Sequence, residues 1–180
     1  MADTEVRQPD GDVSVGDWAA APLWSKIDEG AGAPDGTYIW CPNNKNSIGE
    51  CSVENPSNPG TYTQVDIKVY ARKSAAGGNQ RGLDADIRVG GALQGQKTLL
   101  ANLTESFVEY TLSWAGLSFS QGQMNSLQVL FISTGTTGGR PANRREVHID
   151  YYETVLIYTV GGKGKIKPSI SIKAMEAGFI

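Results

Sequence analysis

A pattern of period two recurs along the middle of this chain and constrains its fold more than any other feature. From Thr63 to Ala71, Val65, Ile67, Val69 and Ala71 alternate with Gln64, Asp66, Lys68 and Tyr70. Successive side chains of a strand point to opposite faces, so this spacing predicts a half-buried strand. Leu83 to Val89 repeats the pattern, with Leu83, Ala85, Ile87 and Val89 inward and Asp84, Asp86 and Arg88 outward. Val108, Tyr110, Leu112 and Trp114 alternate with Glu109, Thr111 and Ser113. Leu127, Val129 and Phe131 form another apolar face, and Leu130 and Ile132 make that run apolar on both sides. A long last strand begins at Val147, Ile149 and Tyr151 and runs to about Val160; Thr37–Cys41 and Thr98–Leu103 are shorter candidates.

Turn signals separate these runs: Pro56 to Gly60, Gly77-Gly78-Asn79, Gly90-Gly91, Ser120-Gln121-Gly122 and the long stretch from Gly135 to Pro141. With 22 glycines and 8 prolines among 180 residues, the chain is rich in turns. Seven or eight short strands with such turns predict an all-β fold, an antiparallel β-sandwich of jelly-roll type. Helical signals are weak and confined to Leu23–Glu29 and Ile172–Ala177.

Charge divides the chain in three. Residues 1–18 set Arg7 against Asp3, Glu5, Asp10, Asp12 and Asp17, and residues 161–180 set Lys163, Lys165, Lys167 and Lys173 against Glu176. The expected organisation is an acidic N-terminal arm (1–18), a sandwich domain (19–160) and a basic, Gly/Lys-rich C-terminal arm (161–180), joined through Gly161-Gly162-Lys163-Gly164. The arm carboxylates Asp10, Asp12 and Asp17, the arm lysines Lys163, Lys165, Lys167 and Lys173, and the loop cluster Arg140, Arg144 and Arg145 are the candidate partner-binding residues. A net charge of −3 is not that of a general nucleic-acid binder, and no apolar stretch approaches the ~20 residues of a membrane helix.

The two cysteines, Cys41 and Cys51, would close a loop worth about 3 kcal/mol if bonded. The acidic, polar opening is unlike a signal peptide, which favours two free thiols over a disulfide. Two cysteines and the lone His148 do not make a structural zinc set. Asn102-Leu103-Thr104 matches a glycosylation sequon, a short pattern that arises by chance.

Asp84 and Asp86 share a strand face, which Arg88 makes a solvated surface rather than an acid–base pair. Asp10 to Asp17 has a calcium-loop look, but its glycine is one place late and Ala21 stands where the pattern needs a glutamate. Among the nucleotide, hydrolase and metalloprotease motifs, none is present, and His148 next to Asp150 has no serine in a nucleophile motif to join it. No catalytic residue, cofactor or metal is therefore expected. Trp18, Trp24 and Trp40, with Tyr151, Tyr152 and Tyr158 on the last strand, either fill the core or, if exposed, stack on sugar rings.

Pro9-Asp10-Gly11-Asp12-Val13-Ser14-Val15-Gly16-Asp17-Trp18, then Leu23-Trp24, Ile27-Asp28-Glu29 and Asp35-Gly36-Thr37-Tyr38-Ile39, resembles the opening of a β-sandwich family of tailed-phage virion proteins. Ser126 to Phe131, followed by the aromatic last strand, is similar as well, so the resemblance spans about residues 9–160; the cysteine pair and the lysine-rich tail lie outside the pattern. It implies a non-enzymatic component of a virion, such as a capsid decoration or tail-associated subunit. The implied partners are the major capsid protein, other virion proteins and further copies of itself, engaged through the arms. The alternative is a carbohydrate-binding or receptor-binding tail or fibre module, with a glycan as partner.

Overall fold

The computed structural model describes residues 2–19, 21–30, 34–42, 45–100, 102–136 and 140–160. Two antiparallel sheets face each other across one core. In chain order the strands are β1 (Ala2–Arg7), β2 (Pro9–Ser14), β3 (Ile39–Cys41), β4 (Ile48–Val53), β5 (Thr61–Lys73), β6 (Arg81–Val89), β7 (Ala92–Leu93), β8 (Lys97–Leu100), β9 (Val108–Ser120), β10 (Gln128–Gly135) and β11 (Val147–Thr159). Sheet A runs β1-β11-β5-β9, with β3 beside β11; sheet B runs β2-β4-β10-β6-β7, with β8 beside β6. The protein is an antiparallel β-sandwich of jelly-roll type, as the alternation predicts.

The inward residues are the ones the alternation selects. Val65, Ile67, Val69 and Ala71 of β5 are fully buried, as are Leu83, Ala85 and Ile87 of β6, and Val129 of β10 and Tyr152 of β11 meet them. Phe131 packs against Tyr152 across the core, ring centroids 4.8 Å apart. Burying side chains of this size stabilises the fold by about 1.5–3 kcal/mol each.

The acidic segment 1–18 is not a free arm. Its two strands are the edges of the sandwich: β1 pairs with Thr154–Thr159 of β11, and β2 pairs with β4. The chain crosses from one sheet to the other at Gln8. Glu5 anchors β1, because its carboxylate accepts hydrogen bonds from Tyr62 Oη (2.5 Å), Asn58 Nδ2 (2.8 Å) and Ser57 N (3.2 Å) and pairs with Arg7 (2.6 Å). Burial pushes the Glu5 carboxyl up, but those bonds and Arg7 outweigh it and hold it below its ordinary value. The basic segment 161–180, with Lys163, Lys165, Lys167 and Lys173, lies outside the described residues, as does the helical signal at Ile172–Ala177.

Two further elements differ from expectation, and the cysteines agree with it. Leu23–Glu29 forms only a 3-10 turn at Trp24–Lys26. Ser120-Gln121-Gly122, read as a turn, opens a short helix α1 (Gln121–Met124) with a capping box between Ser120 and Gln123. Cys41 and Cys51 are buried free thiols on β3 and β4, in different sheets. Burial raises both thiols, Cys51 to about 12, so neither carries the thiolate that reactivity requires.

Candidate functional site

The outer face of sheet A, turned away from the core, is built row by row from strand register. In the first row Trp40 of β3 stands opposite His148 of β11, which stands opposite Arg72 of β5. In the second, Tyr151 of β11 faces Tyr70 of β5, which faces Glu109 of β9. In the third, Glu153 faces Lys68 and closes an ion pair of 3.1 Å, with Thr111 beyond. Side chains opposite one another in an antiparallel pair share a face and lie close enough to touch. Two loop residues complete the array: Tyr38, just before β3, and Phe107, just before β9.

The rings stack in series. Tyr151 lies against Tyr70 (5.1 Å, 12°), and Tyr70 against Phe107 (5.1 Å, 17°). The Arg72 guanidinium sits 4.4 Å from the Phe107 centroid and 5.8 Å from that of Tyr38. Tyr38 in turn stacks on His148 (4.6 Å, 17°). A cation held over rings in this way contributes about 0.5–2 kcal/mol per contact. Trp40 meets Tyr38 nearly edge-on (6.2 Å, 65°), which leaves its faces free of stacked rings among the described residues.

Hydrogen bonds fix the polar atoms. Arg72 Nε donates to His148 Nδ1 (3.4 Å), so the ring proton is on Nε2, where Glu146 Oε2 accepts it at 3.0 Å. Burial lowers the His148 pKa, opposed by its bond to Glu146, and the ring is neutral at pH 7. The Tyr151 hydroxyl donates to Glu109 Oε2 (2.6 Å). Trp40, Tyr38, Tyr70, Phe107 and Arg72 are half-buried, so each keeps part of its surface for a ligand, whereas Tyr151 and His148 beneath them are buried. The face therefore offers aromatic surface, the N–H groups of a rigidly held arginine, and carboxylate acceptors at Glu109 and Glu146. That combination suits a ligand with apolar C–H patches and many hydroxyls.

The residues singled out in the sequence fall differently. Trp18 fills the core, Tyr152 is buried inside it, and Tyr158 packs on Tyr62. Asp12 is a local cap, its carboxylate accepting from the backbone of Leu23 (2.8 Å) and Trp24 (2.9 Å). Asp10 accepts from the Ser52 hydroxyl at 2.6 Å, and Asp17 pairs with exposed Lys45 at 3.5 Å. Arg140 is exposed, while Arg145 turns its guanidinium onto the carbonyls of Ala76, Ala142 and Arg144 and clamps two loops together. Gly78 fits under that clamp because a Cβ there would meet the Asn143 carbonyl at 2.3 Å and its φ is +68°. Arg144 is half-buried. The expected compact cation cluster is thus partly a structural strap. Asp84 and Asp86 are buried rather than solvated: Gln96 donates to Asp84 (2.7 Å), the Ile87 amide donates to Asp86 (2.7 Å), and Arg88 turns instead to Glu50 (2.7 Å).

Tyr38, Phe107, Tyr70 and Arg72 are the functional candidates that sequence reasoning missed. The outward register of Tyr70 and Arg72 on β5 is readable from the alternation, but the convergence of two loop rings on them is not.

No protein-family model and no curated protein matches the sequence. Solved structures are similar in fold. A CBM35 module of Abf62 from Cellvibrio japonicus is 11% identical, covers 88% of this chain and 99% of its own, and superposes with a TM-score of 0.45. CBM29_1, a family 29 carbohydrate-binding module from Piromyces equi, is 13% identical over 88% of this chain and 92% of its own, with a TM-score of 0.43. Xyl-CBM35, solved with a disaccharide containing glucuronic acid, is 12% identical over 87% and 95%, with a TM-score of 0.47. Likenesses this distant leave the ligand to be read from the residues of this chain.

Proposed function

We propose that this chain is a non-catalytic recognition module that binds a carbohydrate on the outer face of sheet A. One observation carries the reading: half-buried aromatic side chains and Arg72 gather on a face that has no core to fill. Trp40 offers the ring on which a pyranose stacks, and Arg72, Glu109 and Glu146 offer donors and acceptors to its hydroxyls. The test is a glycan-array screen of the full chain, with calorimetry on the hits. Trp40→Ala and Arg72→Ala should each weaken the best hit at least tenfold while the far-ultraviolet spectrum stays that of wild type. An array without a hit, or a hit that both variants retain, overturns the reading.

A second reading, a phage particle subunit such as a capsid decoration protein, has its support in the motif resemblance and in the two edge strands that open the chain. Val6 of β1 and Val13 of β2 are 46% and 47% exposed there, and edge strands present unpaired backbone groups to a neighbouring subunit. Mass spectrometry of purified particles tests it: many copies support decoration, a few support a tail or fibre position, and none sinks it. A carbohydrate-binding module on a tail or fibre would satisfy both readings.

A further inference from the structure

Three carboxylates from two distant parts of the chain converge beside the first row of the aromatic face. Glu29 follows the 3-10 turn at Trp24–Lys26, Asp35 precedes β3, and Asp150 lies in β11. One oxygen from each lies within 4.8 Å of the others. Asp150 is placed by a bulge: the pairing of β11 with β5 slips between Ile149 and Tyr151, so Asp150 has no partner across the ladder. Bulges of this kind re-aim a side chain.

Asp150 is 2% exposed, and its Oδ1 has no hydrogen-bond partner; Oε2 of Glu29 is likewise buried and unpartnered. Local donors satisfy only the neighbouring atoms. Thr37 Oγ1 reaches Glu29 Oε1 (3.2 Å), and the Thr37 amide reaches Asp35 Oδ1 (2.6 Å). Among the described residues no ion pair joins any of the three carboxylates to a cationic side chain. Arg72, the guanidinium on this face, is held between rings and bonded to His148. A buried carboxylate oxygen with no donor is costly, and two more carboxylates beside it raise the cost further. A cation among them removes both penalties at once.

We propose that Glu29, Asp35 and Asp150 form a calcium site. The donors are all carboxylate oxygens, which select hard cations. Calcium takes oxygens at about 2.3–2.6 Å, so one ion spans oxygens up to roughly 5 Å apart, and this cluster falls inside that span. Magnesium holds its ligands at about 2.0–2.1 Å in a strict octahedron and keeps its waters, which suits a cluster drawn from a loop and a bulge less well. Bound there, the ion would tie Glu29 and Asp35 to β11. Asp35 lies just before Tyr38 and Trp40, so the site would hold the approach to the aromatic face in place. The inference does not rest on what that face binds.

The full chain, stripped with chelator and dialysed, tests it directly. Calcium alone should bind with a single-site isotherm, and at 100-fold excess over Kd it should raise Tm by about 5–10 °C. Asp35→Asn, at an exposed position, should keep the fold and weaken calcium at least tenfold, and Asp150→Asn should abolish the shift. Three results would overturn the site: no calcium isotherm, an equal Tm shift with magnesium at the same concentration, or a calcium shift in Asp35→Asn as large as that of wild type at the same calcium concentration. Glycan binding is measured separately, so a protein that binds calcium but no glycan keeps this site and loses only the carbohydrate reading.

Discussion

The two sheets share one inward alternation and differ on their outer faces. The strands of sheet A hold nine aromatic residues, of which Trp40, Tyr70 and Tyr151 point outward. The strands of sheet B hold one, Phe131, and it faces the core. The outer face of sheet B carries Ile48, Glu50, Leu130, Ile132, Asp84, Asp86 and Arg88 instead. Core volume dictates the inner face of both sheets, because every inward side chain must fill space at close-packed density. No such demand acts on the outer faces, and the outer rings of sheet A instead pack on one another, which is the array the carbohydrate proposal rests on.

If that distinction holds, a ring is worth stability where it points in and affinity where it points out. The largest effect belongs to Phe131→Ala, which empties the space against Tyr152 and should lower unfolding stability by about 3–5 kcal/mol in urea titration. Trp40→Ala, on a half-buried outer ring, should cost no more than about 1–2 kcal/mol of stability while removing most glycan affinity. A Trp40 variant as unstable as the Phe131 variant would erase the contrast.

The sheet edges sharpen it further. β1, on sheet A, is fastened by a buried carboxylate whose folded pKa lies below its ordinary 4.5. Its contribution is therefore present above pH 4.5 and lost as pH falls through the lower folded value. Glu5→Gln should cost about 1–3 kcal/mol at pH 7 and flatten the acid limb of a Tm-against-pH curve below pH 5. The smallest effect is expected on the other sheet, where Arg88 and Glu50 pair at 2.7 Å with side chains 30% and 10% exposed. Arg88→Gln should cost at most about 1 kcal/mol, and 0.5 M salt should shrink the difference.

Several features were legible locally. The alternation in Thr63–Ala71 and Leu83–Val89 marks β5 and β6 with their inward faces correct, and only the ends extend further. The edge strands were not legible. Pro9-Asp10-Gly11-Asp12 has neither alternation nor β-propensity, and it becomes β2 because β4 offers it backbone groups to pair with. The capping box of α1 was written plainly in Ser120-Gln121-Gly122-Gln123, where the glycine reads as a turn. The acidic cluster carries no motif, since Glu29 and Asp35 are near in sequence and Asp150 lies far along the chain.

The sequence alone determined that the chain forms strands, which side of each long strand is buried, and where the main turns fall. These follow from spacing between near neighbours, a property every short window contains. Only the tertiary structure decided that Trp40, His148 and Arg72 share a row, that Asp84 and Asp86 are covered, and that three carboxylates meet. Each of these depends on hydrogen-bond register between strands far apart in sequence, and a slip of one residue would turn every side chain of a strand to the opposite face.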